Sequence, residues 1–273
     1  MARVSDWVGK HVIVTGGSEG IGAAVAGAFA RRGARVSIIA RREPPLRDTA
    51  KRLGADWAAA DVTDPEQLES AVTELEQRNG PCEVIACCAG LALPGRFLEL
   101  DAGEFEKQMS ANYLGAVHAV RRVLPGMVER SSGKILLVSS TAAFLGITGY
   151  TAYGPTKAGV RQLALCLRYE VEPKGVDVTV IYPADTDTPG MAMENQRKPV
   201  ETKAITGSIE PMPPERVAEA AVRGLERGRR HIALDPLTRF FLAWANLPED
   251  LARPFMRRTI GASSLVNHPS TGI

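Results

Sequence analysis

Two tyrosines and a lysine stand close together in the segment YTAYGPTKAG, residues 150–159. Tyr153 and Lys157 are four residues apart, so on a helix they share one face about one turn apart. Tyr150 is expected to lie ahead of the regular helix. Because proline is tolerated in a first helical turn and kinks later ones, Pro155 predicts that the helix begins close to Tyr153. The segment predicts either an ordinary amphipathic helix start or a reactive phenol.

A reactive phenol needs help from its neighbours. Its unperturbed pKa of about 10 makes it a poor acid–base catalyst at neutral pH. A nearby ammonium group, such as that of Lys157, favours phenolate and lowers that pKa. Ser140, at the end of the preceding strand, is placed to donate a hydrogen bond to a substrate oxygen. Ser139 is the alternative, and since side chains alternate along a strand, only one serine can serve.

Short apolar runs that are typical of buried strands alternate with helical patterns along the chain. The runs are HVIVTG (11–16), ARVSIIA (34–40), DWAAAD (56–61), EVIACCAG (83–90), GKILLVSS (133–140) and VDVTVIYPAD (176–185). Helical patterns such as GAAVAGAFARRG and LESAVTELEQRNG lie between them. This alternation predicts a doubly wound α/β fold, a parallel sheet with helices on both faces. Ligands bind such sheets at the carboxyl ends of the strands, so strand-end residues are the candidates for chemistry.

Length, charge and composition exclude several classes of protein. The 273 residues contain no internal linker, and one large domain over residues 1–260 is predicted, followed by a disordered tail from 261 to 273. A net charge of +2, with scattered arginine pairs, argues against nucleic acid as a partner. The chain shows neither a signal-peptide pattern nor a membrane-spanning apolar stretch, so a cytoplasmic protein is expected.

Cysteine and histidine residues give no sign of a disulfide framework or a metal site. The four cysteines, which include the adjacent Cys87 and Cys88, are expected to be buried reduced thiols. The four histidines are far apart in the sequence and lack metal-ligand spacing. We therefore expect chemistry without a metal ion.

The first strand ends in a glycine-rich turn, TGGSEGIG (15–22), that opens a helix. Its glycines allow a tight turn, close approach of a pyrophosphate to backbone N–H groups, and packing of the helix on the strand. A dinucleotide site is predicted here, with an ordinary tight turn as the alternative. The candidate cofactor-binding residues of this turn are Gly16, Ser18, Glu19, Gly20, Ile21 and Gly22.

The second and third strand ends indicate which dinucleotide binds. NAD sites place an acidic residue near the ribose 2′-hydroxyl, whereas here the second strand runs into Arg41 and Arg42. Arginine suits a 2′-phosphate, so NADP(H) is predicted. The alternative is a solvated arginine pair with Glu43 at the ribose. Asp61, followed by Val62, is predicted either to accept a hydrogen bond from the adenine amino group or to cap the next helix.

The TGxxxGxG turn, Asn112, Ser140 and the Tyr153–Lys157 pair occur in the order typical of the short-chain dehydrogenase/reductase family. The chain resembles this family over about residues 9–235. The resemblance implies a Rossmann fold, Tyr153 as acid–base, and Lys157 as the group that lowers the tyrosine pKa and binds ribose. It also implies that Ser140 orients the carbonyl and that Asn112 holds a water in a proton relay. A homodimer or homotetramer is expected.

The resemblance adds cofactor contacts at the fourth and sixth strand ends, where the chain also departs from the family pattern. Cys87-Cys88-Ala89-Gly90 replaces the frequent Asn-Asn-Ala-Gly, and Pro183-Ala184 replaces Pro-Gly. The first change removes side-chain amide bonds and keeps the backbone turn. The additional cofactor-binding candidates are Ala89, Gly90, Pro183, Thr186 and Thr188.

A narrower resemblance concerns the segment DTDTPGMAMENQRKPVETKAIT (185–206), together with TGGSEGIG and NYLG. These segments are similar to family members that reduce 3-ketodihydrosphingosine with NADPH, which implies a long-chain keto substrate. The alternatives are a family reductase for 3-oxoacyl thioesters or for steroid or retinoid ketones, and a non-catalytic NADP-binding protein. Tyr153→Phe would abolish turnover in either reductase.

Residues 189–260 are expected to supply the substrate lid and a C-terminal substrate or interface region. Met191 and Met193 suit flexible contact with an acyl chain or ordinary lid packing. The segment LTRFFLAWANLPEDLARPFMRR (237–258) mixes aromatic residues with arginines and is too charged to span a bilayer. It is expected to lie at a membrane surface, to cover a lipid tail, or to pack on its own domain or on a dimer partner.

Overall fold

The structure is a computed structural model that describes residues 7–207 and 210–263. Its seven strands form one parallel sheet in the order β3-β2-β1-β4-β5-β6-β7. The strands are β1 His11–Thr15, β2 Arg35–Ala40, β3 Asp56–Ala59, β4 Val84–Cys87, β5 Gly133–Val138, β6 Val176–Tyr182 and β7 His231–Ala233. The six predicted strands and the doubly wound fold are confirmed. The sequence missed β7 because three residues are too few to form a recognisable apolar run.

Ten α-helices connect and cover the strands in the described part of the chain. They are α1 Gly20–Ala30, α2 Glu43–Leu53, α3 Pro65–Asn79, α4 Ala102–Met109, α5 Gly115–Glu129, α6 Tyr153–Val171, α7 Pro189–Arg197, α8 Val200–Thr206, α9 Pro214–Glu226 and α10 Pro236–Ser263. A π-helical turn, Ser110–Leu114, joins α4 to α5. Helix α6 begins at Tyr153, so Pro155 falls in its first turn as predicted. This start places Tyr153 and Lys157 on adjacent turns.

Two hydrophobic cores lie on the two faces of the sheet. Ile13 and Ile85 point into the core formed with α3, α5 and α6, while Val12 and Val14 point into the core formed with α1 and α9. Such burial of successive residues on both faces is why these strands read as continuous apolar runs. The strand order reverses between β1 and β4, where connections leave on opposite sides of the sheet. This switch point opens the crevice in which doubly wound folds bind ligands.

The C-terminal helix α10 is partly packed and partly exposed. Arg161 of α6 donates to the Ala245 carbonyl oxygen at 2.9 Å, which ties α10 to the domain. Outward-facing apolar side chains at helical spacing are Phe240, Trp244, Leu247, Leu251 and Phe255. No helix among the described residues is both long and apolar enough to cross a membrane. The predicted tail overlaps α10 at 261–263, and residues 264–273 lie outside the described residues.

One ion-pair cluster between α1 and α9 makes stability depend on acid pH. Arg32 and Arg31 contact the two oxygens of Glu219 at 2.8 and 2.9 Å. The hydrogen bond from Arg32 is the main cause that lowers the pKa of Glu219 to about 2. A carboxyl group whose pKa falls on folding stabilises the fold above its unfolded pKa of about 4.5, and that contribution is lost as pH falls toward 2.

We therefore expect Glu219→Gln to lower the free energy of unfolding by about 1 kcal/mol at pH 7, after allowance for solvent screening. Urea unfolding at pH 7 and near pH 2.5 measures the loss, which should shrink at the lower pH. Glu170→Gln serves as the control, because Glu170 is exposed and forms no ion pair with a described residue. An equal loss at both pH values would contradict the assignment.

Candidate active site

The tyrosine–lysine pair lies where α6 begins, at the carboxyl end of the sheet. The Nζ atom of Lys157 is 5.7 Å from the centre of the Tyr153 ring and donates to the Val138 carbonyl oxygen at 3.1 Å. Burial lowers the pKa of Lys157 to about 8. Burial also raises the pKa of the Tyr153 phenol, an effect strengthened by the Glu194 carboxylate and opposed by a hydrogen bond with Ser140. Without a cofactor, Tyr153 is therefore held in its protonated form.

The two serines at the end of β5 go to opposite sides, as strand alternation predicts. Ser140 has extended backbone, and its hydroxyl is close enough to the Tyr153 phenol to lower the pKa of the phenol. The same oxygen accepts from the backbone N–H of Ala142 at 3.2 Å. Ser139 is buried, and its hydroxyl donates to the Lys157 carbonyl oxygen at 2.8 Å. Ser140 thus faces the phenol, while Ser139 fixes the first turns of α6.

Asn112 lies in the π-helical turn and joins two parts of the site. Its Oδ1 atom accepts from the Leu91 N–H at 2.7 Å, and its Nδ2 atom donates to the Leu91 carbonyl oxygen at 2.9 Å. Nδ2 also donates to the Thr156 hydroxyl at 3.0 Å, and that hydroxyl donates to the Tyr153 carbonyl oxygen at 2.7 Å. The side-chain amide therefore fixes the loop after β4 against the start of α6. That Asn112 holds a water stays a prediction.

Thr156 is a site residue that the sequence analysis missed. It is fully buried and links Asn112 to the backbone of Tyr153. Its position between the tyrosine and lysine in YGPTK was the available signal. The sequence does not reveal that its hydroxyl points toward the π-helical turn.

The glycine turn has no side chains where its backbone turns sharply or packs closely. Gly16 and Gly20 have positive φ angles of 68° and 56°. A Cβ atom on Gly16 would lie 2.7 Å from the Ala89 Cα, and one on Gly22 would lie 2.1 Å from the Gly16 carbonyl oxygen. Side chains are therefore excluded where the turn packs on the start of α1. Bare backbone at a helix N-terminus fits a dinucleotide pyrophosphate.

The other residues of the turn hold it in place. The Ser18 carbonyl oxygen accepts from the Thr49 hydroxyl at 2.9 Å, which ties the turn to α2. Glu19 precedes α1 without a side-chain capping bond, and its carboxylate pairs with Arg42 at 2.5 Å. Ile21 packs against the core on the α1 face. The Glu19 carboxylate therefore points toward the second strand end.

The arginines after β2 contact the third strand end and the glycine turn. Arg41 reaches Asp61 at 3.5 Å, and its side chain is 58% exposed, so the contact is loose. Asp61 itself accepts from the backbone N–H of Thr63 at 2.9 Å. The alternative in which Asp61 caps the next helix is wrong, because Asp64 caps α3 through the N–H groups of residues 66 and 67. That Arg41 and Asp61 bind the adenosine half of a cofactor stays a prediction.

The neighbours of Asp61 and of the fourth strand end complete the crevice. The Val62 carbonyl oxygen is 3.0 Å from Nδ1 of His118. The Ala89 N–H donates to the Thr15 hydroxyl at 3.4 Å. A Cβ on Gly90 would lie 3.0 Å from Asn112 Oδ1 and 3.5 Å from Lys157 Nζ. Gly90 therefore lets the loop after β4 approach the catalytic candidates closely.

The sixth strand end meets the glycine turn. Thr188 caps α7 by accepting from the Met191 N–H at 3.1 Å, and a Cβ on Gly20 would lie 3.1 Å from its methyl group. Thr186 is buried and donates to the Ala184 carbonyl oxygen at 2.9 Å. The Pro183 carbonyl oxygen accepts from the Thr141 N–H at 3.2 Å. Thr188 is thus the threonine beside the turn, while Thr186 and Pro183 shape the strand end.

The cysteine expectation is partly wrong. Cys82, Cys87, Cys88 and Cys166 are all free thiols. Cys82 and Cys87 are buried, Cys88 is partly buried, and Cys166 is exposed on α6. Burial raises the pKa of Cys88 to about 12, although Lys157 opposes the change. The thiol that replaces a family asparagine is therefore neutral.

A polar cluster beside Tyr153 escaped the sequence analysis. Tyr150 donates to Oε1 of Glu194, and the Tyr150 and Tyr153 ring centres are 5.4 Å apart. Lys198 Nζ lies 3.2 Å from the same Glu194 oxygen and 3.6 Å from Oδ2 of Asp185. The spacing of Glu194 and Lys198, four residues apart, was a signal for an ion pair. Only the fold brings this pair to the catalytic candidates.

Comparisons with known proteins agree on one family. The family model for short chain dehydrogenases matches residues 10–199. A 3-ketodihydrosphingosine reductase of Bos taurus is 41% identical over 230 residues, covering 81% of this chain and 69% of its own. The 3-dehydrosphinganine reductase of Danio rerio is 40% identical over 231 residues, with the same shares. A 3-ketodihydrosphingosine reductase of Mus musculus is 42% identical over 230 residues, again with these shares.

Solved structures share the fold. A short-chain dehydrogenase from Streptomyces avermitilis has a TM-score of 0.76 and 28% identity, covering 94% of this chain and 98% of its own. An alcohol dehydrogenase from the archaeon Thermococcus sibiricus, complexed with 5-hydroxy-NADP, has a TM-score of 0.71 and 26% identity. The match covers 82% of this chain and 95% of that dehydrogenase. The family and this neighbour support the binding of a nicotinamide cofactor.

Proposed function

Since the chain belongs to the short-chain dehydrogenase family, we propose that it is a reductase that converts 3-ketodihydrosphingosine to dihydrosphingosine with NADPH in sphingolipid synthesis. The observation that carries the proposal is the 40–42% identity to relatives named for this activity, over most of the chain. The family and its relatives make the chain an oxidoreductase. The contacts of Tyr153, Lys157, Ser140 and Asn112 with one another and with shared neighbours support the same chemistry.

The catalytic step follows from the groups around Tyr153. When bound, NADPH supplies the hydride that adds to the ketone carbon. Tyr153 donates its phenolic proton to the ketone oxygen, and its raised pKa keeps that proton in place at neutral pH. Ser140 donates a hydrogen bond to the same oxygen and so orients the carbonyl. Lys157 offsets the negative charge left on the phenolate, since a pKa of about 8 leaves it mostly protonated at pH 7.

Asn112 acts in this proposal as a positioning residue. Both hydrogens of its amide are engaged, by Leu91 and by Thr156. The asparagine therefore holds the loop after β4 and the first turn of α6 in one geometry. Tyr153 and Lys157 then meet the cofactor crevice without rearrangement.

The preference for NADPH over NADH rests on the end of β2. Arg41 has an exposed guanidinium and a loose contact with Asp61, so it is available to a 2′-phosphate. Arg42 pairs with Glu19 and thereby neutralises the one carboxylate in the glycine turn. Both features favour a cofactor that carries an additional phosphate.

A long apolar substrate fits the surfaces that flank the site. Exposed apolar side chains lie on α7, on α8 and on the loop between β4 and α4, namely Met193, Val200, Ile205, Phe97 and Leu98. Arg197 of α7 pairs with Glu104 of α4, and Arg96 of the loop pairs with Glu201 of α8 at 3.0 Å. These ion pairs connect α7 to α4 and α8 to the loop before α4. We infer that the alkyl chain of the substrate binds along these segments.

The first test is the loss of NADPH absorbance by the purified protein. The assay uses 3-ketodihydrosphingosine in detergent, with NADH and a 3-oxoacyl thioester in parallel. Oxidation of NADPH with the sphingoid ketone supports the proposal. Turnover of the thioester alone would retain the family chemistry and contradict the proposed substrate. No NADPH oxidation with either substrate would contradict the proposed activity.

Arg41→Ala is expected to raise the KM for NADPH about 10- to 100-fold and to leave the KM for NADH nearly unchanged, because a charge-assisted bond to the 2′-phosphate is lost. Initial rates with each cofactor measure the effect. Arg47→Ala is the matched control, since Arg47 is exposed on α2 and beyond the strand end. An equal rise in the KM for NADPH and for NADH would show that Arg41 does not recognise the 2′-phosphate.

The proposal also retains two sequence-based expectations about partners. The exposed apolar face of α10 supports peripheral contact with a membrane or pairing in a homodimer or homotetramer. Light scattering in solution measures the oligomeric state, and co-sedimentation with lipid vesicles measures membrane contact. A monomer that does not sediment with vesicles would contradict both expectations.

A further inference from the structure

The polar cluster of Tyr150, Asp185, Glu194 and Lys198 lies at the catalytic phenol and has no place in the mechanism above. Lys198 Nζ is almost inaccessible, with a side chain that is 2% exposed. Glu194 lies on α7 of the lid and remains 17% exposed. Its Oε1 atom binds both Tyr150 and Lys198. Among the described residues, no donor binds its other oxygen, Oε2.

The charges in this cluster do not balance. Asp185 and Glu194 contribute two carboxylates, and Lys198 contributes one ammonium group. Both carboxylates raise the pKa of Tyr153, so they lie close enough to act on the phenol electrostatically. A carboxylate in partly buried surroundings is costly unless a cation or several donors accompany it. One further cation would complete the cluster.

We propose that Glu194, supported by Asp185, forms the subsite for the substrate ammonium group. The inference rests on the proposed function, because a 3-keto sphingoid base carries its amino group on the carbon next to the ketone. When Tyr153 binds the ketone oxygen, the ammonium group lies only one carbon further along the substrate. It then donates to Glu194 and supplies the missing positive charge.

Tyr150 is the positioning residue of this subsite. Its hydroxyl holds Oε1 of Glu194, and its ring packs beside Tyr153. The free oxygen Oε2 is thereby kept available for an ammonium group. This arrangement gives Tyr150, the first tyrosine of YTAYGPTKAG, a function distinct from that of Tyr153. It also selects amino ketones over ketones without an amine, because the latter leave the negative charge uncompensated.

The test compares two substrates in wild-type protein and in Glu194→Gln. One substrate is 3-ketodihydrosphingosine, and the other is the same ketone with hydrogen in place of the amino group. The substitution keeps the side-chain shape and removes the charge. We expect kcat/KM to fall about 10- to 100-fold for the amino ketone and to change less than about threefold for the other. Glu170→Gln, which removes an exposed carboxylate near the far end of α6, is the control and should change neither.

The outcomes separate this inference from the proposed function. Equal losses on both ketones, or no loss on either, would overturn the subsite and leave a structural ion pair of the lid. Failure of the wild-type protein to reduce both ketones would overturn the proposed function and the subsite with it. If Glu194→Gln fails to fold, Tyr150→Phe should still lower the preference for the amino ketone about 3- to 10-fold.

A binding measurement provides a readout that is independent of turnover. In calorimetric titrations, dihydrosphingosine or its N-acetyl derivative is added to protein that is saturated with NADP⁺. We expect the free amine to bind at least about 10-fold more tightly to wild-type protein and equally to Glu194→Gln. Equal affinity of the two probes for the wild-type protein would overturn the subsite.

Discussion

Tyr153→Phe is expected to lower kcat for ketone reduction about 10²- to 10⁴-fold, the range assigned to a general acid. The substitution removes only the phenolic oxygen, so the ring keeps its contacts with Tyr150 and Lys157. The developing negative charge on the ketone oxygen then has no proton donor. Single-turnover oxidation of NADPH measures the effect directly.

Cofactor binding should distinguish this chemical defect from a folding defect. We expect the affinity of Tyr153→Phe for NADPH to stay within about twofold of wild type, because no charged group is lost. Tyr169→Phe is the matched control, since Tyr169 lies near the far end of the same helix. Full activity of Tyr153→Phe would contradict the assignment of Tyr153 as acid. Tight cofactor binding by the wild-type protein without reduction of any ketone would favour a non-catalytic NADP-binding protein.

Gly22→Ala is the second change with a large expected effect, on cofactor binding. A Cβ at this position would lie 2.1 Å from the Gly16 carbonyl oxygen and 2.7 Å from the Gly16 carbonyl carbon. Both contacts are with backbone, so no side-chain rotation relieves them. The turn or the start of α1 must move, and the backbone N–H groups then no longer point toward the pyrophosphate.

We expect the Kd for NADPH to rise at least about 100-fold in Gly22→Ala, as measured by the fluorescence of the bound cofactor. Gly146→Ala is the matched control, because a Cβ at Gly146 would meet nothing within 4 Å. Thermal unfolding without cofactor shows whether the variant keeps its fold. A folded Gly22→Ala that binds NADPH like wild type would show that the turn does not cradle the pyrophosphate.

The buried lysine links the two halves of the site. Burial lowers the pKa of Lys157 to about 8, whereas the same surroundings raise that of Tyr153. Each shift disfavours the charged form, so both groups are poised for a partner of the opposite charge. A phenolate formed at Tyr153 and the ammonium group of Lys157 would stabilise each other. In the proposed mechanism, the charged forms of the two groups stabilise each other once the phenolic proton has left.

Local patterns in the sequence determined the fold class and most of the catalytic candidates. Six apolar runs correctly gave six strands because continuous burial on both faces leaves a signal in consecutive residues. Pro155 gave the start of α6 because a proline ring restricts the backbone of its own residue and the turn before it. Strand alternation separated Ser140 from Ser139 for the same local reason.

The tertiary structure alone decided which distant side chains meet. The sequence offered Asp61 as a helix cap, but only the backbone path showed that Asp64 caps α3. Arg42 and Glu19 are 23 residues apart, and Tyr150 and Glu194 are 44 apart. No periodic pattern records such pairs, since their contact depends on how strands and lid pack in three dimensions. The sequence therefore determined the catalytic candidates, while the contact of α7 with the segment before α6 decided the charges that surround them.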